Sequence, residues 1–349
     1  MIRYELTSSF SISRLLVGLW QVADMEKDGR TLDREEAAGA LVPYVDAGFT
    51  TFDMADHYGS AEEIVGEYLS NHASARDTQV LTKWVPKPGP LSRQEVRASV
   101  QRSLDRLKAD CIDLLQFHTW CYFDPSWLDA LHYLGELKDE GLIRHVGLTN
   151  FDTAHLRVAV SSGIDITTNQ VCFSLLDMRP AGRMSELCLA RGVRILAYGT
   201  LAGGFLSERW LGRPDPGWEG LTWPQMKYRR FIEVAGGWER YQAMLRVVDE
   251  VARRHNASIA NVASRVILNQ DAVAGVIIGA RLGENVHIED NLRLLELELT
   301  EQDRQAIDDA LSTLEVIPGD SGDEYRKPPL LTASGDLSHH LEELSAPYP

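Results

Sequence analysis

The hydrophobic and polar positions of this chain alternate between two patterns along most of its length. Short apolar runs, typical of strands buried on both faces, are followed by stretches with the period of an amphipathic helix. The strand-like runs are Leu15–Trp20, Thr50–Asp53, Val80–Lys83, Ile112–His118, His145–Thr149, Ile166–Gln170, Val193–Tyr198 and Val273–Gly279. Strand–helix units repeated in this way predict an α/β fold, a (β/α)8 TIM barrel.

The residues at the starts and ends of the helical stretches agree with this fold. A doubly wound sheet would need an early Gly-rich fingerprint of the GxGxxG type, and none follows the first strands. Ser92 and Glu95 have the spacing of a capping box, Gly141 follows a helical stretch, and Asp152 stands at a cap position. The predicted helices are Arg34–Ala47, Ser92–Leu107, Pro125–Glu140, Asp152–Val160 and Glu301–Leu314.

Three segments depart from the alternation, and we expect all of them to belong to one domain spanning residues 1–349. Tyr4–Arg14 alternates weakly and predicts a short N-terminal hairpin that caps the barrel bottom. A long loop rich in Gly, Pro and Trp follows the seventh strand, between Tyr198 and a helix near Trp238. Loops of such length in a compact domain are usually functional. Residues 317–349 form an extended C-terminal tail, and the sequence leaves open whether that tail covers a barrel mouth.

Composition narrows the classes of function. Lys and Arg number 35 against 51 Asp and Glu, a net charge of −16, which disfavours nucleic-acid binding because phosphates would be repelled. No apolar run approaches the roughly 20 residues of a membrane helix, and residues 1–14 do not resemble a secretory signal. Cys111, Cys121, Cys172 and Cys188 fit no CxxC pattern. We interpret them as reduced thiols, most of them core residues, and expect a cytoplasmic protein.

Four polar side chains fall at or just beyond the ends of three consecutive predicted strands. Asp53, Lys83 and His118 each close an apolar run, and Tyr58 lies five residues beyond Asp53. Barrel active sites are built at the carboxyl ends of the strands, so these side chains are expected to meet. Taken singly, an Asp after a strand is more often a helix cap, and a lone His or Tyr is more often structural. A Lys within an apolar strand needs a partner.

Together these four residues suit the reduction of a carbonyl, which needs a hydride and a proton. A tyrosine, with a pKa near 10, is a weak acid at neutral pH. A neighbouring ammonium from Lys83 would stabilise the phenolate and lower that pKa, while Asp53 would keep the buried lysine charged. His118 can donate to the carbonyl oxygen and orient it. This chemistry requires no metal, and the sequence contains no cluster with metal-ligand spacing.

Several blocks along nearly the whole chain resemble the aldo-keto reductase superfamily, in particular a longer-chain, bacterial-type branch. They are Thr51–Gly59, which contains Asp53 and Tyr58; Gly141–Phe151; Asn169–Val171; Leu196–Gly199; and Ile277–Arg281 followed by Glu289–Asn291. Each block is weak alone. Their occurrence together in this order is specific.

The resemblance implies a nicotinamide cofactor bound without a Rossmann fold. By position it implies that Thr149, Asn150 and Gln170 hold the carboxamide and that Tyr198 stacks on the nicotinamide ring. It implies that the pyrophosphate and adenosine lie along Leu201, Gly203, Gly204, Gly279, Arg281, Asp290 and Asn291. An arginine at position 281 would face the 2′-phosphate and favour NADP(H), because a guanidinium pairs with phosphate bidentately.

Two departures from the family pattern bear on the cofactor. Thr149 replaces the usual serine but keeps the hydroxyl. The spacing between Gly279 and Asn291 is about two residues longer than in many members. That spacing leaves the assignment of Arg281, Asn285 and His287 around the phosphate open, and with it the choice between NADP(H) and NAD(H).

Substrate and partners are the least constrained features. Trp20, Trp84, Trp120 and Tyr122 follow strand ends closely, and an aromatic mouth suits an apolar or ring-bearing carbonyl. The leading hypothesis is a reversible NADP(H)-dependent reductase of aldehydes or ketones, acting on a small molecule. The alternatives are a sugar or hydroxy-compound dehydrogenase on the same site, and a cofactor-binding regulatory subunit similar to potassium-channel β subunits. The sequence predicts no oligomeric state.

Overall fold

Eight parallel strands close into a barrel whose lower end is covered by a two-stranded hairpin. The computed structural model describes residues 3–120, 122–284 and 287–326. The hairpin consists of β1 (Arg3–Thr7) and β2 (Phe10–Ser13). The barrel strands are β3 (Leu15–Gly18), β4 (Thr51–Asp53), β5 (Gln79–Trp84), β6 (Ile112–Phe117), β7 (Ile143–Thr149), β8 (Ile166–Cys172), β9 (Arg194–Tyr198) and β10 (Val273–Gly279). β10 pairs with both β9 and β3, which closes the ring. The predicted (β/α)8 barrel and its N-terminal hairpin are confirmed.

Helices pack around this barrel and continue beyond its last strand. They are α1 (Trp20–Glu26), α2 (Arg34–Gly39), α3 (Val42–Asp46), α4 (Ala61–Asn71), α5 (Arg93–Leu107), α6 (Ser126–Asp139), α7 (Thr153–Ser161), α8 (Arg183–Arg191), α9 (Trp223–Val234), α10 (Trp238–Arg254), α11 (Ile259–Leu268), α12 (Ile288–Glu296) and α13 (Glu301–Ser312). The predicted caps are present, because the side chains of Ser92 and Asp152 accept from backbone N–H groups three residues later. Within the described ranges, none of these helices combines the length and apolarity needed to cross a bilayer.

One predicted helix is wrong, because the structure has two shorter helices in its place. The stretch Arg34–Ala47 divides into α2 and α3, with the break at Ala40 and Leu41. Pro43 stands in the first turn of α3. A proline has no N–H to continue the preceding helix but is well suited to start a new one, which explains the division.

The long loop after the seventh barrel strand contains a helix that the sequence analysis did not predict. Thr222 caps α9, and the side chain of Gln225 reaches back to the backbone N–H of Thr222. Pro224 lies in the first turn of the helix. The abundance of Gly, Pro and Trp in this segment predicts a loop, whereas Pro224, next to Trp223, marks a helix start.

The interior of the barrel explains why polar side chains meet at its top. Side chains along a strand alternate between the barrel axis and the surrounding helices. Leu16, Leu81, Leu114 and Leu196 form an inner layer that packs on Phe10 and Ile12 of the hairpin. Two residues further along the same strands, the inward positions are Gly18, Lys83, Gln116 and Tyr198. The hydrophobic layer therefore lies directly below a polar one.

The described residues include three of the four cysteines and only the first part of the C-terminal tail. Cys172 and Cys188 are buried and Cys111 is half-buried, and all three are free thiols. Cys121 lies outside the described residues, as do Asn285 and residues 327–349 of the tail. Residues 317–326, here called the C-terminal segment, are described. This segment lies over the carboxyl end of the barrel and approaches the residues discussed below.

Candidate active site

A buried carboxylate organises the upper, polar layer of the barrel. Asp53 at the end of β4 accepts from Lys83 Nζ at 2.6 Å through Oδ2. Its other oxygen, Oδ1, accepts from the amides of Gln116 at 2.9 Å and Gln170 at 2.7 Å. Gln170 also donates to Gln116 Oε1 at 2.9 Å. Both oxygens of the carboxylate are thus held by β5, β6 and β8, which fixes its orientation.

Lys83 is buried, but its surroundings stabilise its positive charge. Only 2% of its side chain is exposed, and Nζ also donates to the carbonyl oxygen of Met54 at 3.0 Å. Burial lowers the pKa of Lys83 from its usual value, and the neighbouring Asp53 carboxylate opposes that shift. The ammonium lies 5.1 Å from the centre of the Tyr58 ring. The predicted grouping of Asp53, Lys83 and Tyr58 is therefore present in the structure.

A glutamate from α1 helps to fix the loop that carries Tyr58. Glu26 accepts from the backbone N–H of Ser60 at 2.7 Å and from its hydroxyl at 2.6 Å. Gly59 has a φ of +56°, and a Cβ there would come within 2.3 Å of the Glu26 carboxylate. The positive φ favours a glycine, and a side chain there would also displace the Glu26 carboxylate. Tyr58 therefore sits on an anchored turn at the cleft.

His118 and the cofactor residues predicted on β7 and β9 form a second connected group. The Asn150 amide nitrogen lies 3.5 Å from His118 Nε2, and Asn150 Oδ1 accepts from the Tyr198 hydroxyl at 2.9 Å. Asn150 has a left-handed backbone conformation, with a φ of +55°, which asparagine tolerates better than most residues. The His118 ring packs 4.4 Å from that of Trp120.

A cleft of about 700 Å³ joins these two groups to the far side of the barrel mouth. It is lined by Asp53, Tyr58 and His118 and by every residue predicted for the cofactor: Thr149, Asn150, Gln170, Tyr198, Leu201, Gly203, Gly204, Gly279, Arg281, Asp290 and Asn291. Those cofactor residues come from the carboxyl ends of β7 to β10, the segments that follow β7, β9 and β10, and α12. The cleft thus runs from the Asp53 centre towards the N-terminus of α12.

Two features of the cleft fit a polar ligand. Thr149 Oγ1 and Gln21 Oε1 are buried and have no hydrogen-bond partner among the described residues, yet both residues line the cleft. Such orphaned groups cost free energy unless a ligand or water satisfies them. At Gly203 a Cβ would approach Pro224 O at 3.2 Å and Tyr228 Cδ2 at 3.0 Å, so a larger residue would crowd this wall.

Arg281 lies in the cleft as predicted but is already paired with carboxylates. It donates to Asp24 at 2.8 Å and to Glu284 at 2.5 Å. About 37% of its side chain is exposed. A phosphate at this end of the cleft would therefore compete with two carboxylates for the guanidinium.

The structure does not bring all the predicted substrate residues together. Trp20 and Trp120 line the cleft. Trp84 belongs instead to the core between barrel and helices, where it packs 5.4 Å from Phe117. The side chain at position 84 points outward because Lys83 before it points inward. Tyr122 stacks on His155 rather than lining the cleft.

The residues of the site that the sequence analysis missed include Gln116, Lys227 and Tyr325. Gln116 carries a signal, because it precedes His118 by two residues and therefore shares its inward face. Lys227 from α9 and Tyr325 from the C-terminal segment also line the cleft. They come from segments that no local pattern assigns to the barrel mouth.

Comparison with known proteins agrees with this geometry. A sequence model for the aldo/keto reductase family matches residues 14–312. The chain belongs to the aldo/keto reductase family. Among its relatives in this family, the protein Tas of Escherichia coli K12 is 27% identical over 336 residues, which cover 84% of this chain and 92% of Tas. The NADH-specific methylglyoxal reductase of the same organism is 25% identical over 329 residues, covering 88% and 98%.

Solved structures of aldo-keto reductases share this architecture. A thermostable aldo-keto reductase crystallised with the inhibitor epalrestat superposes with a TM-score of 0.70 at 25% identity, covering 89% of this chain and 100% of that one. This chain is therefore an oxidoreductase of the aldo/keto reductase family.

The amide of Gln116 is expected to contribute measurably to stability. In Gln116→Leu, Asp53 loses one donor and Gln170 loses one of its two acceptors, so buried polar groups are left unsatisfied. We expect the free energy of unfolding to fall by about 2 kcal/mol, measured by urea denaturation. The matched control is Gln101→Leu on the exposed face of α5, where the amide donates to Asp105. That change should cost less than about 0.5 kcal/mol, and equal losses in both variants would contradict the prediction.

Proposed function

We propose that this aldo/keto reductase is an NADP(H)-dependent enzyme that reversibly reduces an aldehyde or ketone to an alcohol, with Tyr58 as the general acid. The observation that carries the proposal is the Lys83 ammonium, held at 2.6 Å by buried Asp53 and lying 5.1 Å from the Tyr58 ring. A cation so placed lowers the pKa of a phenol and makes it a better acid near neutral pH.

Each of the four residues has a distinct role in this proposal. Tyr58 delivers a proton from its hydroxyl to the carbonyl oxygen of the substrate. Lys83 stabilises the phenolate that remains, and Asp53 keeps Lys83 protonated against the effect of burial. His118, packed on Trp120, orients the carbonyl oxygen towards Tyr58. In the oxidative direction Tyr58 takes the proton back from the alcohol.

The bound nicotinamide would supply or accept the hydride, and the cleft offers groups that suit it. The unsatisfied hydroxyl of Thr149 is one partner for the carboxamide. Both amide hydrogens of Gln170 are used by Asp53 and Gln116, so a ligand at Gln170 meets its carbonyl oxygen. That oxygen suits the NH₂ of a carboxamide. The ring of Tyr198 offers a face for the nicotinamide.

The preference for NADP(H) rests on Arg281 and can be tested there. In Arg281→Ala we expect the dissociation constant of NADPH to rise about tenfold, because a charge-assisted phosphate contact is lost. The dissociation constant of NADH should change less than about twofold. Both are measured by fluorescence titration. Arg304→Ala on α13, which removes an exposed arginine paired three residues away with Glu301, is the control. Equal weakening of both cofactors would contradict the preference.

The proposed activity is tested by mixing purified protein with NADPH or NADH and a panel of carbonyls. The panel contains aromatic aldehydes, diketones, cyclic ketones and sugars, and loss of reduced-cofactor absorbance is followed. We expect NADPH oxidation that depends on a carbonyl and is fastest with ring-bearing aldehydes. Cofactor binding without turnover on any carbonyl or alcohol would reject the enzyme and leave a binding role. Turnover of sugars alone would favour a sugar dehydrogenase.

A further inference from the structure

A chain of hydrogen bonds connects the C-terminal segment to the nicotinamide end of the cleft. Lys227 Nζ donates to the Tyr325 hydroxyl at 2.7 Å, and the Tyr325 and Tyr198 hydroxyls lie 3.0 Å apart. Tyr198 donates in turn to Asn150 Oδ1 at 2.9 Å. The four side chains come from α9, the C-terminal segment, β9 and the turn after β7. No other step of the proposed reaction uses Lys227 or Tyr325.

The donors and acceptors among these four side chains set the direction of the hydrogen bonds that connect them. An ammonium can only donate and an amide oxygen can only accept. Because the single proton of Tyr198 goes to Asn150, Tyr325 is the donor in the bond between the two hydroxyls. Burial raises the pKa of Tyr198 well above its ordinary value, so the phenol keeps its proton. The Tyr198 hydroxyl is therefore held from both sides, by a donor and by an acceptor.

Lys227 is stabilised as a cation at this buried position. Its side chain is 9% exposed and lies 3.6 Å from Glu324. Its ammonium is 4.5 Å from the Tyr325 ring centre and 5.1 Å from that of Tyr198, which are cation–π distances. Burial alone would lower the pKa of Lys227, but the facing Tyr325, Cys172, Tyr228 and Glu324 raise it. Lys227 is therefore a fixed donor.

The C-terminal segment is anchored on both sides of Tyr325. Arg179 pairs with Glu324 at 2.9 Å, and this pair is nearly fully buried. Arg326 donates to the backbone carbonyl oxygens of Asn150 and Thr119, each at 2.7 Å. At Gly322 a Cβ would come within 2.2 Å of Asn150 O, so the close approach requires a glycine. These contacts restrict the movement of the C-terminal segment, so Tyr325 is held next to Tyr198.

We propose that Lys227 and Tyr325 are positioning residues for the cofactor, acting by holding Tyr198 and Asn150 in the orientation that binds the nicotinamide. The proposal rests on the nicotinamide-dependent function proposed above. Tyr198 offers the ring face and Asn150 an amide, and neither group can turn without breaking a hydrogen bond of the chain. A site held in its binding geometry loses less entropy when the ligand binds.

The test compares Tyr325→Phe and Lys227→Met with the wild-type protein. Tyr325→Phe removes the hydroxyl but keeps the ring, which packs 5.7 Å from Trp120. We expect the dissociation constant of NADPH, from fluorescence titration, to rise roughly three- to tenfold in each variant. At saturating cofactor, the KM for an aromatic aldehyde should stay within about twofold of the wild-type value in Tyr325→Phe. A general loosening of the fold would instead alter both constants.

A second buried tyrosine provides the control. The Tyr68 hydroxyl contacts that of Ser74 at 2.9 Å, and Tyr68, on α4, does not line the cleft. Tyr68→Phe should leave NADPH binding unchanged. If Lys227→Met does not fold, Tyr325→Phe carries the test alone.

The outcomes separate this inference from the proposed function. Wild-type binding and turnover, with unchanged NADPH affinity in Tyr325→Phe, would overturn the positioning role and leave the function standing. A raised KM for the aldehyde with unchanged NADPH affinity would also overturn it, because Tyr325 would then act on the substrate. A wild-type protein that binds no nicotinamide cofactor would reject both proposals.

Discussion

Replacing Tyr58 by Phe is expected to reduce kcat for carbonyl reduction by about a thousandfold, within the range of a positioned general acid. The change removes the proposed proton donor but keeps the ring beside Lys83. The dissociation constant of NADPH should therefore stay close to the wild-type value. Steady-state kinetics with an aromatic aldehyde and fluorescence titration with NADPH measure the two quantities.

Tyr133 on α6 provides a matched control for this variant. Its ring lies 5.0 Å from the Arg93 guanidinium, much as the Tyr58 ring lies 5.1 Å from the Lys83 ammonium. Tyr133 does not line the cleft. Tyr133→Phe should retain full kcat. A Tyr58→Phe protein with wild-type kcat would show that another group supplies the proton.

The second large effect is expected at Asp53, where charge and stability are linked. Asp53→Asn leaves the ammonium of Lys83 without its carboxylate in a site where the lysine side chain is only 2% exposed. Breaking a buried ion pair from one side costs about 3–5 kcal/mol of unfolding free energy. Turnover should also fall, by roughly a hundredfold, because Lys83 loses charge and no longer assists Tyr58.

The stability of the Asp53→Asn variant is expected to depend on pH because of Lys83. Burial lowers the pKa of Lys83 and Asp53 opposes that shift, so the variant lowers this pKa further. Between the folded and the unfolded pKa of Lys83, the unfolded chain binds more protons than the folded one. Stability therefore rises with pH through that window. Urea denaturation should show the deficit of Asp53→Asn shrinking as the pH is raised from neutral towards about 10.

A double variant separates stability from catalysis. Asp53→Asn combined with Lys83→Met removes the unpaired charge, so we expect much of the lost unfolding free energy to return. Turnover should stay as low as in the single variant, because no ammonium faces Tyr58. A double variant that recovered turnover together with stability would show that the ion pair acts only on folding.

The barrel could be predicted from the sequence because strand burial and side-chain alternation are local properties. The apolar runs marked all eight barrel strands, and Asp53, Lys83 and His118 could be placed at strand ends from position alone. The same alternation could have excluded Trp84 from the cleft, because neighbours of an inward Lys83 must face outward. It could also have identified Gln116.

The parts of the site that could not be predicted depend on packing between distant segments. Tyr325 reaches the cleft because Arg179 and Arg326 anchor the C-terminal segment, and no local pattern records those contacts. Helix α9 was missed because a Trp-Pro pair suggests a turn as readily as a helix start. The pairing of Arg281 with Asp24 joins residues 257 positions apart, so the sequence could not indicate competition for the phosphate.

The proposed transfer of a hydride between a nicotinamide and a carbonyl at the Tyr58 site can be followed directly with an isotopic label. The most direct measurement uses NADPH carrying deuterium at the transferable C4 position, an aromatic aldehyde and the purified protein. The mass of the alcohol product is then measured by mass spectrometry. We predict that the alcohol gains one deuterium and that Tyr58→Phe forms almost none of it. Cofactor that binds while no deuterium reaches any carbonyl in the panel would contradict the account.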